Sequence, residues 1–171
     1  MRQLSYPGRS NVLAQNGMAA TSNPLSSIEA INILKKGGNA IDAAVAVSFA
    51  LAVVNPSAGN LGGGGFMLIH LSETNKTIAL DYREKAPIKS FENMFLDQNE
   101  KVIKGLSLNS TLASGVPGTV SGMFYASTKY GSVDIRKLIL PSIEIARNGF
   151  NLSEFQAKNL NKYRDKFLKN I

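Results

Sequence analysis

The sequence contains no cysteine and a single histidine, and both facts narrow the chemistry available to it. Without cysteine these residues hold no disulfide framework, no thiol nucleophile and no thiolate-bound metal. One histidine, His70, cannot build a multi-histidine metal site or a convincing serine-histidine-aspartate set. The sequence therefore predicts no metal and no cofactor, and it leaves the redox compartment open.

Long apolar runs are also missing. The longest, Ala40 to Val54, is interrupted by Asp42 and Ser48, and it is shorter than the ~20 residues that cross a bilayer. The opening stretch MRQLSYPGRS lacks the apolar core of a secretory signal. From the sequence we expect no membrane partner and no export signal in these residues, and the compartment stays unassigned.

What is present is the composition of a globular protein. The 171 residues are 44% hydrophobic and 18% charged, which suits one domain with its own core. The net charge is +7, with the basic excess toward the C-terminal end. The tail KNLNKYRDKFLKN comes nearest to a nucleic-acid patch, but Asp165 within it and Glu154 just before it interrupt the positive charge. A solvated helix face is the commoner meaning of such a pattern, so we expect no nucleic-acid partner.

Local signals predict two helices followed by a hairpin. The first helix begins near the capping residues Ser22 and Asn23 and stops at Gly37-Gly38. The second covers Ala40 to Val54, and its many alanines are typical of a helix buried on most sides. Two strands follow, joined by the turn SETN; they are Phe66–Leu71 and Lys76–Tyr82.

Three further helices are predicted in the second half. One lies in GVPGTVSGMFYASTKYG and closes at Gly131, and the next, DIRKLILPSIEIARNG, should be kinked or divided by Pro141. The last begins near Asn151 or Ser153 and continues through the tail. The fold class is therefore α+β, mostly helical with a core β-hairpin. Two strands do not make a stable sheet alone, so the hairpin needs partners that this chain does not obviously supply.

The run Gly62–Gly65 raises the question of a phosphate-binding loop. Such loops lie between a strand and a following helix, whereas this run follows a helix and precedes a strand, and no Lys-Ser/Thr pair comes after it. We also expect no helix N-terminus to point at it. Close backbone packing at a sharp entry into a buried strand is the favoured interpretation.

The stretch LDYREKAP places Arg83 just past a strand that should be largely buried. A desolvated arginine needs a carboxylate or phosphate, and on residue chemistry alone a structural salt bridge to Asp81, Glu84 or a distant acid is the commoner explanation. A catalytic pair formed by Asp81 and Glu84 is disfavoured, since their spacing puts them on opposite faces of an extended chain. His70 is expected to be a hydrogen-bonded core or edge group.

Six stretches, taken in order, resemble the gamma-glutamyltranspeptidase family. They are GMAATSNPLSS, ILKKGGNAIDAAVAV, VVNPSAGNLGGGGFMLI, LDYREKAP, ASGVPGTVSGM and ARNGF, which together run from Gly17 to Phe150. The resemblance implies part of an N-terminal nucleophile hydrolase fold, a four-layer αββα sandwich. It also implies transfer of a γ-glutamyl group from glutathione to water or an amino acid. Family members of this type are often periplasmic or secreted.

The resemblance assigns one site residue, Arg83, as the group that binds the α-carboxylate of the γ-glutamyl substrate. In the family the nucleophile is a threonine that begins a separate small subunit, in a motif like T-[TS]-H-x-S. None of the threonines here lies in such a motif; they are Thr21, Thr74, Thr77, Thr111, Thr119 and Thr128. We therefore expect residues 1–171 to form a single incomplete domain, the N-terminal part of a large subunit, with no catalytic residue of its own.

Two functional readings follow. In the first, the chain is part of a γ-glutamyltransferase whose partners are γ-glutamyl compounds and the absent C-terminal portion. In the second, it is a non-catalytic remnant or a module that binds a small ligand or a protein. Either way, an open sheet edge and uncovered apolar surface lead us to expect self-association of the isolated chain.

Overall fold

The computed structural model describes residues 13–169. Its first two elements are α1, Pro24–Lys35, and α2, Ala40–Val54, which agree with the sequence prediction. The side chain of Asn23 caps α1 by accepting a hydrogen bond from the Leu25 amide at 2.9 Å. A capping box formed by Asn39 and Asp42 starts α2. Local capping chemistry therefore fixes where both helices begin.

The two strands form one antiparallel hairpin. Strand β1 is Phe66–Leu71 and β2 is Lys76–Asp81, in a register that pairs Phe66 with Asp81 and Leu71 with Lys76. The second strand ends one residue before the predicted Tyr82. Pairing nevertheless continues, because Tyr82 and Gly65 exchange both backbone hydrogen bonds, at 3.0 and 3.3 Å.

The prediction that these strands are buried is wrong for this chain. Of the strand residues only Ile69 is buried, whereas Phe66 is 68% exposed and Leu68 is 76% exposed. The inner face carries Met67 and Leu80, which pack against the helical core. The outer face, which we define as Phe66, Leu68 and the residues paired with them, has no layer of this chain over it.

Helices make up most of the remaining chain. Two short ones, α3 (Leu106–Asn109) and a 3-10 turn (Thr111–Ala113), were not expected from the sequence. Helix α4, Thr119–Tyr130, ends at Gly131 as predicted. Helix α5, Ile135–Asn148, runs through Pro141 as one element, so the predicted division does not occur. Buried Leu138 and Ser142 anchor α5 on both sides of the proline.

The tail is two helices where one was predicted. Helix α6, Glu154–Lys162, begins at the predicted cap Ser153, and α7, Arg164–Leu168, follows after a break at Tyr163. Neither helix contains a buried residue. Weak packing explains why the tail does not hold a single helical axis, since helices in proteins depend largely on tertiary contacts.

Helix α2 is the centre of the core, as its alanine content indicated. It contacts α1, α4 and α5, and its small side chains allow those helices to approach closely. Its fully or nearly fully buried residues are Ala43, Val45, Ala46, Phe49, Ala50 and Val54. Across residues 13–169 no helix has both the length and the apolar character needed to cross a membrane.

A buried carboxylate ties α2 to the connection between α4 and α5. Asp42 accepts hydrogen bonds from the Asn39 amide at 2.8 Å, from the Ser132 hydroxyl at 2.6 Å, and from the amides of Ser132 and Val133. Burial alone would raise the pKa of Asp42, but these donors together outweigh it and hold the pKa below its ordinary value. The charged form is therefore the one built into the fold.

A long loop, residues 86–114, separates the hairpin from α4 and contains α3 and the 3-10 turn near its end. Its ends are joined where Lys85 and Val116 exchange backbone hydrogen bonds of 3.2 and 2.8 Å, a pairing we call the neck. At its far end Asp97 accepts the amides of Asn99 and Lys101 at 2.8 and 2.9 Å, which closes a tight turn. The neck and the turn together give the loop a defined path.

Candidate active site

Four glycines, here called the glycine cluster, pack directly against Tyr82 and its neighbours: Gly64, Gly65, Gly118 and Gly122. A Cβ atom at Gly64 would lie 2.5 Å from the Tyr82 carbonyl oxygen, and one at Gly122 would lie 2.5 Å from Tyr82 Cγ. No side chain fits in such a space. The glycine run is thus a site of close backbone packing, as predicted, although the strand that it enters is exposed.

The prediction that no helix N-terminus meets the glycine run is wrong. The amides of Gly118 and Thr119, at the start of α4, both donate to the Gly63 carbonyl, at 2.9 and 3.0 Å. Because a protein carbonyl takes up these two donors, the helix start secures the glycine run to α4. The arrangement gives no support to a phosphate cradle.

Arg83 follows directly on this fixed backbone. Its amide donates to Asp81 Oδ1 at 2.9 Å, and its Nε lies 3.4 Å from Glu84 Oε2. The structure thus brings Arg83 together with both acids considered from the sequence. The side chain is 58% exposed, so the premise of a desolvated arginine at this position does not hold in this chain.

The side chain of Arg83 borders a cleft of 420 Å³ between the end of β2 and the start of α4. Asp81 and Lys85 supply the other charges of its lining, and α4 contributes Ser121 and Tyr125. Sequence reasoning missed Lys85, Ser121 and Tyr125. The alternation of residues 81, 83 and 85 along an extended chain and the four-residue spacing on α4 were the available signals.

Two tyrosines shape the walls of this cleft. Burial raises the pKa of Tyr82, so its hydroxyl stays protonated and donates to the Phe66 carbonyl at 3.4 Å. Tyr125 accepts a hydrogen bond from Lys129 Nζ at 2.9 Å, and the ammonium also lies 5.2 Å from the centroid of the Tyr125 ring. That hydrogen bond raises the pKa of Lys129.

The remaining sequence candidates have structural surroundings. Glu84 packs beside Gly115, whereas Asp81 lines the cleft, so the two acids do not form a shared carboxylate site. His70 pairs across the hairpin with Thr77, Nδ1 to Oγ1, at 3.2 Å, and is an exposed, hydrogen-bonded side chain. Within residues 13–169 no three His, Asp or Glu side chains gather as a metal ion would require.

Comparison with known proteins gives consistent matches. The family profile described as Gamma-glutamyltranspeptidase matches residues 26–170. The glutathione hydrolase proenzyme of Pseudomonas sp. (strain A14) is 55% identical over 141 residues, covering 82% of this chain and 24% of that protein. The proenzyme of Escherichia coli (strain K12) is 47% identical over 159 residues, covering 93% of this chain and 27% of that protein. The chain therefore spans about a quarter of the length of these two relatives.

A solved structure agrees with the sequence matches. The crystal structure of Helicobacter pylori gamma-glutamyltranspeptidase superposes with a TM-score of 0.89 at 50% identity, covering 94% of this chain and 46% of that one. The α+β class, mostly helical with a hairpin, is confirmed as part of an N-terminal nucleophile hydrolase sandwich.

Proposed function

This chain belongs to the gamma-glutamyltranspeptidase family, and we propose that it supplies the group that binds the glutamate end of a γ-glutamyl substrate. The relatives' name, glutathione hydrolase, indicates glutathione as one such substrate. Arg83 is the residue we assign to the α-carboxylate. Its planar guanidinium can make two parallel hydrogen bonds to a carboxylate, which suits selection of an amino-acid end.

This proposal rests on one observation: the main chain of Arg83 is held in place, whereas its side chain is exposed to solvent. The glycine cluster and the Asp81 contact hold the main chain, yet the side chain is 58% exposed at the cleft. Its ion pair with Glu84 is partly exposed, and such pairs contribute about 0–1 kcal/mol. An arginine held so loosely by its own chain is available to an anionic ligand.

We further propose that residues 1–171 are one incomplete domain and that the nucleophilic threonine and its neighbours come from another portion of the protein. The uncovered outer face of the hairpin supports this proposal, since it is the surface on which a second sheet would pack. The chain alone is then inactive. No glutamate should be released from a γ-glutamyl anilide above a denatured blank, and clear release would contradict this proposal.

Binding tests the assignment of Arg83. Titration of the 171-residue chain with γ-L-glutamyl methylamide, followed by NMR, should show binding that Arg83→Lys weakens by about 10- to 150-fold, the range for one lost charge-assisted hydrogen bond. Arg147→Lys, an exposed arginine on α5, is the matched control and should leave binding unchanged. Unaltered binding in Arg83→Lys, together with a lower melting temperature, would restore the structural salt bridge as the explanation.

A further inference from the structure

We propose that Lys85 forms a second carboxylate-binding position beside Arg83, so that the cleft prefers γ-glutamyl compounds whose γ-substituent carries its own carboxylate. γ-Glutamyl amino acids and peptides are such compounds. The inference rests on the proposed function, because it assumes that Arg83 holds the first carboxylate. It adds to the assignment of Arg83 a residue that distinguishes a γ-substituent carrying a carboxylate from a neutral one.

Both basic residues border the same cleft. Residues 81, 83 and 85, between the end of β2 and the neck, all line the cleft. Tyr82 lines the cleft as well, with its ring against Gly122, whereas Glu84 lies against Gly115 and is not part of the lining. Positions two residues apart along a chain are separated by at most roughly 7 Å, so the two cationic residues border the cleft within that distance of each other.

The position of Lys85 is fixed by its main chain. Its amide and carbonyl both pair with Val116, at 3.2 and 2.8 Å, and Val116 itself lines the cleft. The same contact that closes the neck therefore keeps Lys85 beside the ligand space. Because its main chain is tied and its side chain is exposed, the ammonium can reach over the cleft without displacing packed groups.

The spacing matches the chemistry of the ligand class. In a γ-glutamyl amino acid the two carboxylates are separated by about seven bonds, roughly 8 Å in an extended conformation. An ammonium on a four-carbon stem adapts to the remaining difference, and a point charge suffices where no planar fork is needed. Of the charged groups bordering the cleft, Asp81 is the acid, and its Oδ1 already accepts the Arg83 amide. Glu84, just outside the cleft, pairs with Arg83, whereas no acid of residues 13–169 lies within ion-pair distance of Lys85, so its ammonium is open to a second anionic group.

The test compares two ligands that differ by one carboxylate. The 171-residue chain is titrated with γ-L-glutamylglycine and with γ-L-glutamyl methylamide, and the ratio of the two dissociation constants is measured. Wild type should bind the dipeptide about fivefold more tightly, the scale of one partly exposed ion pair. Lys85→Gln should bring the ratio close to one, whereas Lys85→Arg should keep it. Lys89→Gln, an exposed lysine that does not line the cleft, is the matched control and should also keep it.

Failure of the inference and failure of the proposed function give different results. If Arg83→Gln abolishes methylamide binding but Lys85→Gln leaves the ratio unchanged, only the role of Lys85 is overturned. If neither ligand binds, or if Arg83→Gln leaves methylamide binding intact, both are overturned. The wild-type ratio should also fall toward one in high salt, because screening acts on an exposed charge pair. A ratio that salt does not alter would contradict an ionic origin.

Discussion

Gly122 is a position where a normally stabilising substitution should be harmful. Within a helix, alanine is preferred to glycine by about 1 kcal/mol. Here the added Cβ would lie 2.5 Å from Tyr82 Cγ, so we expect Gly122→Ala to lower the free energy of unfolding by about 1–3 kcal/mol. Chemical denaturation measures this change. Gly62→Ala is the control, since its nearest neighbour is the Asn60 side chain at 3.3 Å; a more stable Gly122→Ala would contradict the packing described.

Asp42 gives a second prediction at the same scale, and it depends on pH. Asp42→Asn places an amide among four donors, so we expect a loss of about 1–3 kcal/mol at neutral pH. Because the folded-state pKa of Asp42 is depressed, its contribution is present above its ordinary value of 3.8 and is lost as pH falls through the folded pKa. Melting curves of the two proteins should therefore converge in acid. A constant difference down to pH 2 would show that charge is not the cause.

Some residues of the candidate site could be predicted from the sequence and others could not. Arg83 and Asp81 were identified because they lie in one short motif, LDYREKAP, that places charged residues directly after a strand. Ser121 and Tyr125 were not, because they reach the same cleft from a helix some forty residues away. Their four-residue spacing puts them on one face of α4, but which element that face meets depends on the docking of α4 against the glycine cluster, and local sequence does not specify that contact.

Helix α5 continues through an interior proline, a residue that ordinarily breaks or kinks a helix. Pro141 lies inside it, lacks an amide hydrogen and clashes with the preceding turn, yet the helix continues because Leu138 and Ser142 are packed. We expect Pro141→Ala to raise the free energy of unfolding by about 1–3 kcal/mol. Thermal unfolding followed by circular dichroism checks it, with Ala146→Gly, on an exposed face, as the control that should destabilise by about 1 kcal/mol. No gain in Pro141→Ala would mean that the surrounding packing requires the ring.

The boundaries of helices and strands could be predicted where capping residues or glycines mark their ends. Helices α1, α2 and α4 and strand β1 have caps or glycines at their ends, and the structure agrees with the predicted limits. The tail has no such signal at Tyr163, where it breaks, and no buried residue to hold it straight. The burial of the hairpin was wrongly predicted because it depends on whether another layer packs on the outer face. The sequences of the two strands do not contain that information.

The outer face of the hairpin leads us to expect that the isolated chain self-associates. Phe66 and Leu68 project from an open two-stranded sheet, and exposed edges with apolar side chains invite pairing with other chains. We expect the isolated chain to self-associate at micromolar concentration, and Phe66→Thr with Leu68→Thr to reduce that association. Light scattering measures both.

Ile88 is the control for this experiment, because it is fully exposed but lies in the irregular loop away from the sheet. Ile88→Thr should leave the association unchanged, whereas an equal effect would point to general apolar exposure. A monodisperse wild-type monomer with a cooperative melt would show that these residues close their own core. That result would favour the binding-module reading over the incomplete-domain proposal.

The neck between Lys85 and Val116 also makes the loop beyond it an insertion point. Since the two ends of residues 86–114 are joined by paired backbone hydrogen bonds, extra residues at the Asp97–Lys101 turn would extend the loop outward while both flanks stay in register. The entropic cost of a longer closed loop grows only as about the logarithm of its length. An epitope tag or a fluorescent reporter could therefore be grafted there, giving the chain a handle for labelling that leaves Arg83 where it is.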